Sequence, residues 1–283
     1  MNQMKPYTIF DHVKYMLSRK KVTAPDRKEE ITVMSFNVRF FNDDRDLGAR
    51  HWYNRARYCL ADVEKVLPDI LCLQEVKPPQ YAYFRKHLRG YAGVITYRDD
   101  EVNSEGCPIF YNAKRFVLLK RGTFWLSETP DVMSKSWGSP HHRIATYVIL
   151  RDLDGSQLTV YNTHPDYKVE ETRINQLCVL ADHMREQGGL DRTILAGDFN
   201  AVKGETCLEP FEKILRDSKD FRGDVFGATY NGFGEVAEDD LSHGIDFIYL
   251  PKEATLVDTG VLKDRYDGVY PSDHHPIFAK IKL

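Results

Sequence analysis

Apolar residues change their period along the chain, and each change predicts an element. Over residues 7–22, Ile9, Phe10, Val13, Met16 and Leu17 recur at helical spacing, with Lys14, Arg19, Lys20 and Lys21 on one side and at the end. That pattern predicts a basic amphipathic helix. Its apolar face is expected to dock on the domain; the other use of such a helix is peripheral contact with an anionic membrane. Pro25 and the mixed charges from Asp26 to Glu30 predict a linker. Residues 1–30 thus read as an arm and 31–283 as one domain. ITVMSFNV (31–38) has the β-branched and aromatic content of a strand. Ala56, Cys59, Leu60, Val63, Val66 and Leu67 then mark a helix that Pro68 stops. DILCLQEV (69–76) is almost continuously apolar, as in a strand buried on both faces. A helix is expected from about Pro79 to His87, followed by four strand-like runs, CPIFY, RFVLLK, IATYVIL and QLTVYNT. Helix 170–187 carries Ile174, Leu177, Leu180, Ala181 and Met184. TILAGDFN is a strand entering a loop, a helix over about 208–216 comes next, and HGIDFIYL, ATLVDTGVL and HPIFAKIKL end the chain. Many strands against few helices predict two packed sheets flanked by helices. The polar connection 127–142, SETPDVMSKSWGSPHH, is of the kind that lines a site.

Charge and composition narrow the function classes. The 283 residues carry 39 Lys+Arg against 42 Asp+Glu, a formal net charge of −3. A protein living on non-specific attraction to phosphate backbones is usually basic, so nucleic acid is not favoured as a partner. The five cysteines (Cys59, Cys72, Cys107, Cys178, Cys207) have no C-x-x-C spacing and read as reduced thiols, with Cys72 and Cys178 expected in apolar settings. No apolar run is long enough to span a bilayer, and no signal-peptide pattern opens the chain. A soluble cytoplasmic protein is the expectation, with no obligate protein partner evident.

Polar side chains close several of the apolar strands. Asn37 ends the first and Gln74-Glu75 the second; Asn162-Thr163-His164 and Asp198-Phe199-Asn200 end two more. Asp246 lies within a strand, and Ser272-Asp273-His274 precede the last. One polar strand end is unremarkable, but six from the Asn/Asp/Glu/His set suggest convergence on one site. Glu75, Asp198 and Asp273, with amide oxygens of Asn37 and Asn200, make a hard-oxygen environment suited to Mg²⁺ or Mn²⁺. The histidines lack zinc-site spacing. Carboxylates and histidines without a Gly-rich phosphate loop point to hydrolysis of a phosphoester rather than ATP-driven transfer.

In order, FNVRF (36–40), DILCLQEV (69–76), NTH (162–164), GDFNA (197–201), GIDFIYL (244–250) and SDHHPI (272–277) resemble the motifs of the endonuclease/exonuclease/phosphatase superfamily. The resemblance implies an α+β fold, a four-layer α-β-β-α sandwich of two mostly antiparallel sheets. It implies Glu75 as principal metal ligand with Asn37 beside it and Asp273 as a second metal-side carboxylate. Asp198 resembles the residue that orients or deprotonates water, with Asn200 as its phosphate-binding companion. His274 resembles the histidine at the scissile phosphate, with Asp246 holding its tautomer. His164 is similar to the histidine of the deoxyribonuclease, sphingomyelinase and deadenylase branches, and Glu105 to the acid that orients it. W-L-S-E-T-P (125–130) and R-I-A-T (143–146) resemble a poorly characterised subgroup. Where that subgroup has N-T-H-L-D-H this chain has NTHPDY, which keeps Asp166 and alters the substrate edge. Arg143 is a candidate clamp on a phosphate oxygen. Trp125 is expected in the core and Trp137 on a stacking rim. Together these readings predict a metal-dependent phosphodiesterase acting on a small-molecule, lipid-headgroup or sugar phosphate. A nuclease of the same fold and a catalytically silent binding module are the alternatives.

Overall fold

The computed structural model describes residues 9–26, 28–42, 44–221 and 226–283; the first residues of the expected N-terminal helix lie outside them. Helix α1 (Ile9–Leu17) leads to β1 (Val22–Thr23), β2 (Ile31–Asn37), α2 (Trp52–Val66), β3 (Ile70–Gln74) and α3 (Pro78–His87). Then come β4 (Leu88–Arg89), β5 (Tyr91–Val94), β6 (Ile109–Asn112), β7 (Phe116–Trp125), β8 (Ile144–Asp152) and β9 (Gln157–Thr163). The chain continues through α4 (Glu170–Gln187), β10 (Thr193–Asp198), α5 (Glu209–Glu212), β11 (Leu215–Asp217), β12 (Asp246–Pro251), β13 (Thr255–Val261) and β14 (Ile277–Lys282).

Twelve strands form two six-stranded sheets, ordered β13-β14-β2-β3-β6-β5 and β11-β12-β10-β9-β8-β7. Each sheet is antiparallel except for one parallel pair, β2 with β3 and β10 with β9. Alternation along the strands explains the layers. Val33, Ile70 and Cys72 of the first sheet meet Val148, Val160, Ile194 and Ile248 of the second in a core between the sheets. The other faces of the same strands, Met34, Phe36, Leu71 and Leu73, pack on Trp52, Leu60 and Val63 of α2 and Phe84 of α3. Across the molecule Tyr161, Leu195 and Phe247 pack on Leu177, Leu180 and Met184 of α4. The fold is therefore the expected four-layer α-β-β-α sandwich.

Register brings the polar strand ends to one rim. Asn37 stands beside Gln74 in the parallel β2/β3 pair, and Asp198 opposite Asp246 in β10/β12. Gly197 pairs with Thr163, and a Cβ at Gly197 would lie 2.3 Å from the Thr163 carbonyl oxygen, so only glycine lets β9 and β10 close here. Gln74 and Asn162 turn inward instead and join the sheets. Gln74 Nε2 donates to Asn162 Oδ1 at 2.8 Å, and Asn162 Nδ2 donates to the carbonyls of Leu73 and Pro108.

Three expectations give way. The helix expected over 208–216 is only the short α5 after a 3-10 turn, because residues 215–217 pair with β12 and bury Leu215. Cys178 is exposed on α4, whereas Cys72 is buried as expected. The chain before the expected linker is held by β1 pairing with β4, and at its start Pro25 O accepts from Asn112 Nδ2 at 2.9 Å. Finally, α1 docks by its polar aromatic side. The ring of His12 lies 5.0 Å from Tyr53, and that of Tyr15 lies 4.5 Å from Tyr53 and 5.1 Å from Tyr83. The apolar face is turned outward, with Ile9 and Phe10 each 76% exposed and Leu17 69%. Among the described residues no helix is long and apolar enough to cross a membrane.

Candidate active site

The rim opens into a cleft of about 820 Å³ lined by residues from both sheets, among them Arg39, Glu75, Arg143, His164, Asp198, Asn200, Asp273 and His274. Three of its polar residues occupy left-handed backbone: Arg39 (φ 55°), Glu75 (φ 60°) and Asn200 (φ 49°). Each lies one or two residues past a strand end, where the chain turns sharply and swings the side chain over the rim.

Asn37 is the hub. Its Nδ2 donates to Glu75 Oε1 at 3.1 Å and to Asp198 Oδ2 at 2.9 Å, and lies 3.5 Å from His274 Nε2. Its Oδ1 accepts the Arg39 N–H at 3.0 Å. Glu75 Oε2 accepts the Phe40 N–H at 2.9 Å. Burial works to raise the Glu75 carboxyl, but the Arg39 charge and the Phe40 N–H outweigh it and hold it below the usual range. Asp273 is raised by burial and by the nearby Glu75, against His274 and Arg39. Arg39 Nη1 stands 3.5 Å from Asp273 Oδ2 and its Nε donates to Asp46 at 3.2 Å.

On the other side, His274 Nδ1 is 2.9 Å from Asp246 Oδ2, and its Nε2 is 3.6 Å from Asp198 Oδ2. Burial alone would lower this imidazole, but Asp246 and Asp198 outweigh it and push it up to about 10, so it is a cation at neutral pH. Asp198 Oδ1 accepts the Asn200 N–H at 3.0 Å, and burial together with Asp246 raises its carboxyl to about 7. His164 Nε2 lies 3.4 Å from Asp198 Oδ2. Burial and the charges of Arg143 and Arg98 hold His164 well below its ordinary pKa, and it is neutral.

The donor chemistry fits a divalent cation at the Glu75–Asp273 side. Two acids there repel one another, which a bound cation would relieve; Asn37 turns its Nδ2 toward Glu75 with its Oδ1 taken by the Arg39 N–H, and Arg39 stands beside Asp273, so the two carboxylates would be the ligands. Ligand atoms of Asp198, Asp246 and His274 also lie within 4.8 Å of one another. Within that trio His274 Nδ1 and Asp246 are hydrogen-bonded at 2.9 Å, while Asp198 Oδ2 stands 3.6 Å from His274 Nε2.

Not every expected residue reaches the cleft as anticipated. Both Glu105 oxygens are taken by the Arg98 fork, at 2.9 and 3.1 Å, which ties this acid to Arg98 rather than to His164. Asp166 is fully buried: its Oδ1 accepts the N–H groups of Lys168 and Val169 and its Oδ2 accepts Ser139 Oγ. It shapes the turn into α4 and is not among the residues that line the cleft. Trp137 is half-buried beside α4, its carbonyl accepting Thr172 Oγ1, away from the residues that line the cleft. Trp125 is half-buried and donates through Nε1 to Arg98 O at 2.8 Å. Sequence reasoning passed over Arg39, although it stands inside the FNVRF motif two residues from Asn37. It also passed over Arg98 and over buried Arg55, which donates to Arg39 O, Val38 O and Pro271 O and so ties the β2 rim to the segment before Asp273.

A four-layer sandwich with carboxylates, amides and histidines gathered at one rim defines a class, and residues 34–274 match the endonuclease/exonuclease/phosphatase family. The chain belongs to that family, whose members are phosphoester hydrolases and generally use divalent metals. It is similar to an endonuclease/exonuclease/phosphatase family protein from Bacteroides thetaiotaomicron, at 29% identity and TM-score 0.81 over 89% of this chain and 94% of that one. The mannosyl-6-phosphatase of Bacteroides thetaiotaomicron VPI-5482 is similar at 28% identity and TM-score 0.80, covering 89% of this chain and all of that one. The Ccr4 subunit of the CCR4-Not complex from Aspergillus oryzae, a 3′-5′ exoribonuclease, is 28% identical over 91% of this chain, which spans only 48% of that protein.

Proposed function

We propose that the protein is a divalent-metal-dependent hydrolase of small-molecule, lipid-headgroup or sugar phosphate esters. The observation that carries this reading is the convergence of Glu75, Asn37, Asp198, His164 and the His274–Asp246 pair on one cleft. Glu75 and Asp273, with Asn37 beside them, would hold Mg²⁺ or Mn²⁺, which supplies charge neutralisation for the phosphoryl oxygens. Asp198, raised to about 7 and fixed by Asn37 and the Asn200 N–H, is suited to take a proton from the attacking water near neutral pH. His274, held protonated by Asp246, is suited to hydrogen-bond a phosphoryl oxygen and stabilise developing charge. Neutral His164 adds a second hydrogen-bonding group beside Asp198. The net charge of −3 weighs against nucleic acid as the main substrate.

The test is Mg²⁺- and Mn²⁺-dependent hydrolysis of p-nitrophenyl phosphate, its bis-ester, sugar phosphates, sphingomyelin-like lipid, DNA and RNA, with Glu75→Ala as control. Metal-dependent turnover lost in the control supports the hydrolase. Silence on every substrate, with no metal bound, favours the catalytically silent module.

The outward apolar face of α1 supports a second, peripheral role. Ile9, Phe10, Val13, Met16 and Leu17 form an exposed stripe beside Lys14, Arg19, Lys20 and Lys21, a pairing that suits an anionic lipid surface.

A further inference from the structure

We infer that a second cavity, between α4 and the edge strand β7, binds a protonated aliphatic amine. Topology leaves the space for it. β7 is the outermost strand of its sheet, while Leu177, Leu180 and Met184 seat α4 on the inner strands. β7 and β8 lie at the margin of that cover, where the His183 ring stacks on Phe124 at 4.1 Å and lies 5.0 Å from Tyr147. The chain just past β7, from Ser127 to Asp131, completes the wall of a cavity of about 390 Å³, a size within the range of small-molecule pockets. None of its lining residues lines the cleft that holds Glu75 and Asp198, so the inference stands apart from the hydrolase reading.

Two features define the occupant. The first is charge. Glu128 and Asp131 approach from the loop, and Asp182 and Glu186, one turn apart on α4, approach from the helix. Asp182 is paired with Arg185, whereas among the described residues Glu128, Asp131 and Glu186 form no ion pair. Like charges so placed repel one another, and no Lys or Arg lines the cavity. Burial lowers the His183 imidazole against the pull of Glu186, so the ring is neutral and adds no opposing charge. The Lys120 ammonium stands 5.6 Å from the Tyr147 ring but outside the lining, donating to Gln187 Oε1 at 2.9 Å.

The second feature is an open acceptor. Tyr147 is 8% exposed, yet its hydroxyl has no hydrogen-bond partner among the described residues, a costly arrangement unless a ligand completes it. Gly122 faces it across the β7/β8 pair, and a Cβ there would stand 2.4 Å from Cε1 and 2.8 Å from Oη. Only glycine leaves room for the phenol, whose oxygen is thereby held at the cavity wall. A bare metal ion does not suit the arrangement. Among the described residues only Asp198, Asp246 and His274 bring three ligand atoms within 4.8 Å of one another. Dispersed carboxylates around ring surfaces suit a wider cation with an apolar body, and an unpartnered phenol oxygen suits one that carries N–H donors.

The experiment is calorimetric titration of the full chain with n-butylammonium at neutral pH, low salt and with Mg²⁺ present. 1-Butanol is the uncharged control and tetramethylammonium the cation without N–H donors. One saturable site with a Kd of about 1 mM or tighter is expected for n-butylammonium, with weaker binding of tetramethylammonium and none of 1-butanol. Changing Asp131→Asn and Glu186→Gln together, at exposed positions where folding is not at stake, should weaken n-butylammonium by about tenfold. Tyr147→Phe, which keeps the ring, should weaken it by about threefold to tenfold. Glu75→Gln, in the other cleft, should leave the affinity unchanged. The absence of saturable binding up to about 20 mM overturns the inference. So does binding of 1-butanol or tetramethylammonium as tight as that of the amine, or full affinity in the Asp131 and Glu186 double variant. Loss of binding in Glu75→Gln would place the amine in the other cleft and overturn it as well.

Discussion

Asp246→Asn tests the chemistry at its least exposed point. The carboxylate accepts from His274 Nδ1 at 2.9 Å, and both residues are buried. Asparagine keeps the size and an acceptor oxygen and removes only the charge. Charge-assisted hydrogen bonds contribute about twice as much as neutral ones, so roughly 1–2 kcal/mol of support for the imidazolium is lost, or about 5- to 30-fold in kcat/KM. The pH profile carries more information than the rate. Asp198 at about 7 sets the acid limb and His274 at about 10 the alkaline limb, so wild-type activity should form a plateau between them. A folded pKa raised above the ordinary 6.5 means that the stabilisation from charged His274 is complete below 6.5 and is lost as pH rises through about 10. Removing Asp246 lowers that upper boundary, and the alkaline limb must move toward neutrality while the acid limb stays within a fraction of a pH unit of its place or falls slightly. Steady-state kinetics from pH 6 to 10.5 at saturating Mg²⁺ read both limbs. An alkaline limb that stays in place or moves upward, with kcat/KM undiminished, would refute the assignment of His274 as the working cation.

Other perturbations check other parts of the structure. Asp62 lies inside α2, where Oδ1 accepts Tyr266 Oη at 2.7 Å while Oδ2 is buried without a partner, and burial raises it to about 7. Its protonated form is the one that fits, so the stability it provides is full below pH 3.8 and is lost as pH rises through about 7. Asp62→Asn should then stabilise the fold at pH 8 by on the order of 2–4 kcal/mol and have little effect at pH 4.5, as read by urea denaturation; equal midpoints at pH 8 would contradict this. Glu75→Gln should weaken Mn²⁺ binding in calorimetry by about tenfold or more; unchanged binding would move the metal to the Asp198–Asp246–His274 trio. Replacing Ile9, Phe10 and Leu17 together by serine should abolish flotation with phosphatidylserine vesicles, and equal flotation of variant and wild type would remove α1 from any lipid contact.

Periodicity was informative where one face of an element is buried along its whole length. Helix 170–187 and strand QLTVYNT appear at their expected limits, because Leu177, Leu180 and Met184, and Leu158 and Val160, each meet a continuous partner surface. It failed where a distant partner decides. Residues 215–217 have no strong strand pattern and become β11 only because β12 offers an edge. The apolar residues of α1 show its amphipathicity, but nothing local says that Tyr15 and His12 would dock first on Tyr53 and Tyr83. At the site, motif order brought Asn37, Glu75, Asp198, Asp246 and His274 to one place. Asp166 shows the converse: a polar residue in a motif is consumed by the turn that carries it. Of the arginines only Arg143 had an address in the sequence. Arg39, Arg98 and Arg143 come from separate segments, and only the closing of the two sheets sets them in one cleft among Glu75, Glu105, Asp198 and Asp273.

The left-handed backbone at Arg39, Glu75 and Asn200 bears on how this chain can drift over generations. Each holds a side chain where glycine would sit without steric penalty, at a cost on the order of 1 kcal/mol apiece. A lineage released from turnover would gain foldedness by exchanging any of the three for glycine, and mutation alone would find those exchanges. An idle descendant of this fold would have no chemical reason to keep a carboxylate, a guanidinium and an amide at these three positions, and their exchange for glycine would mark it.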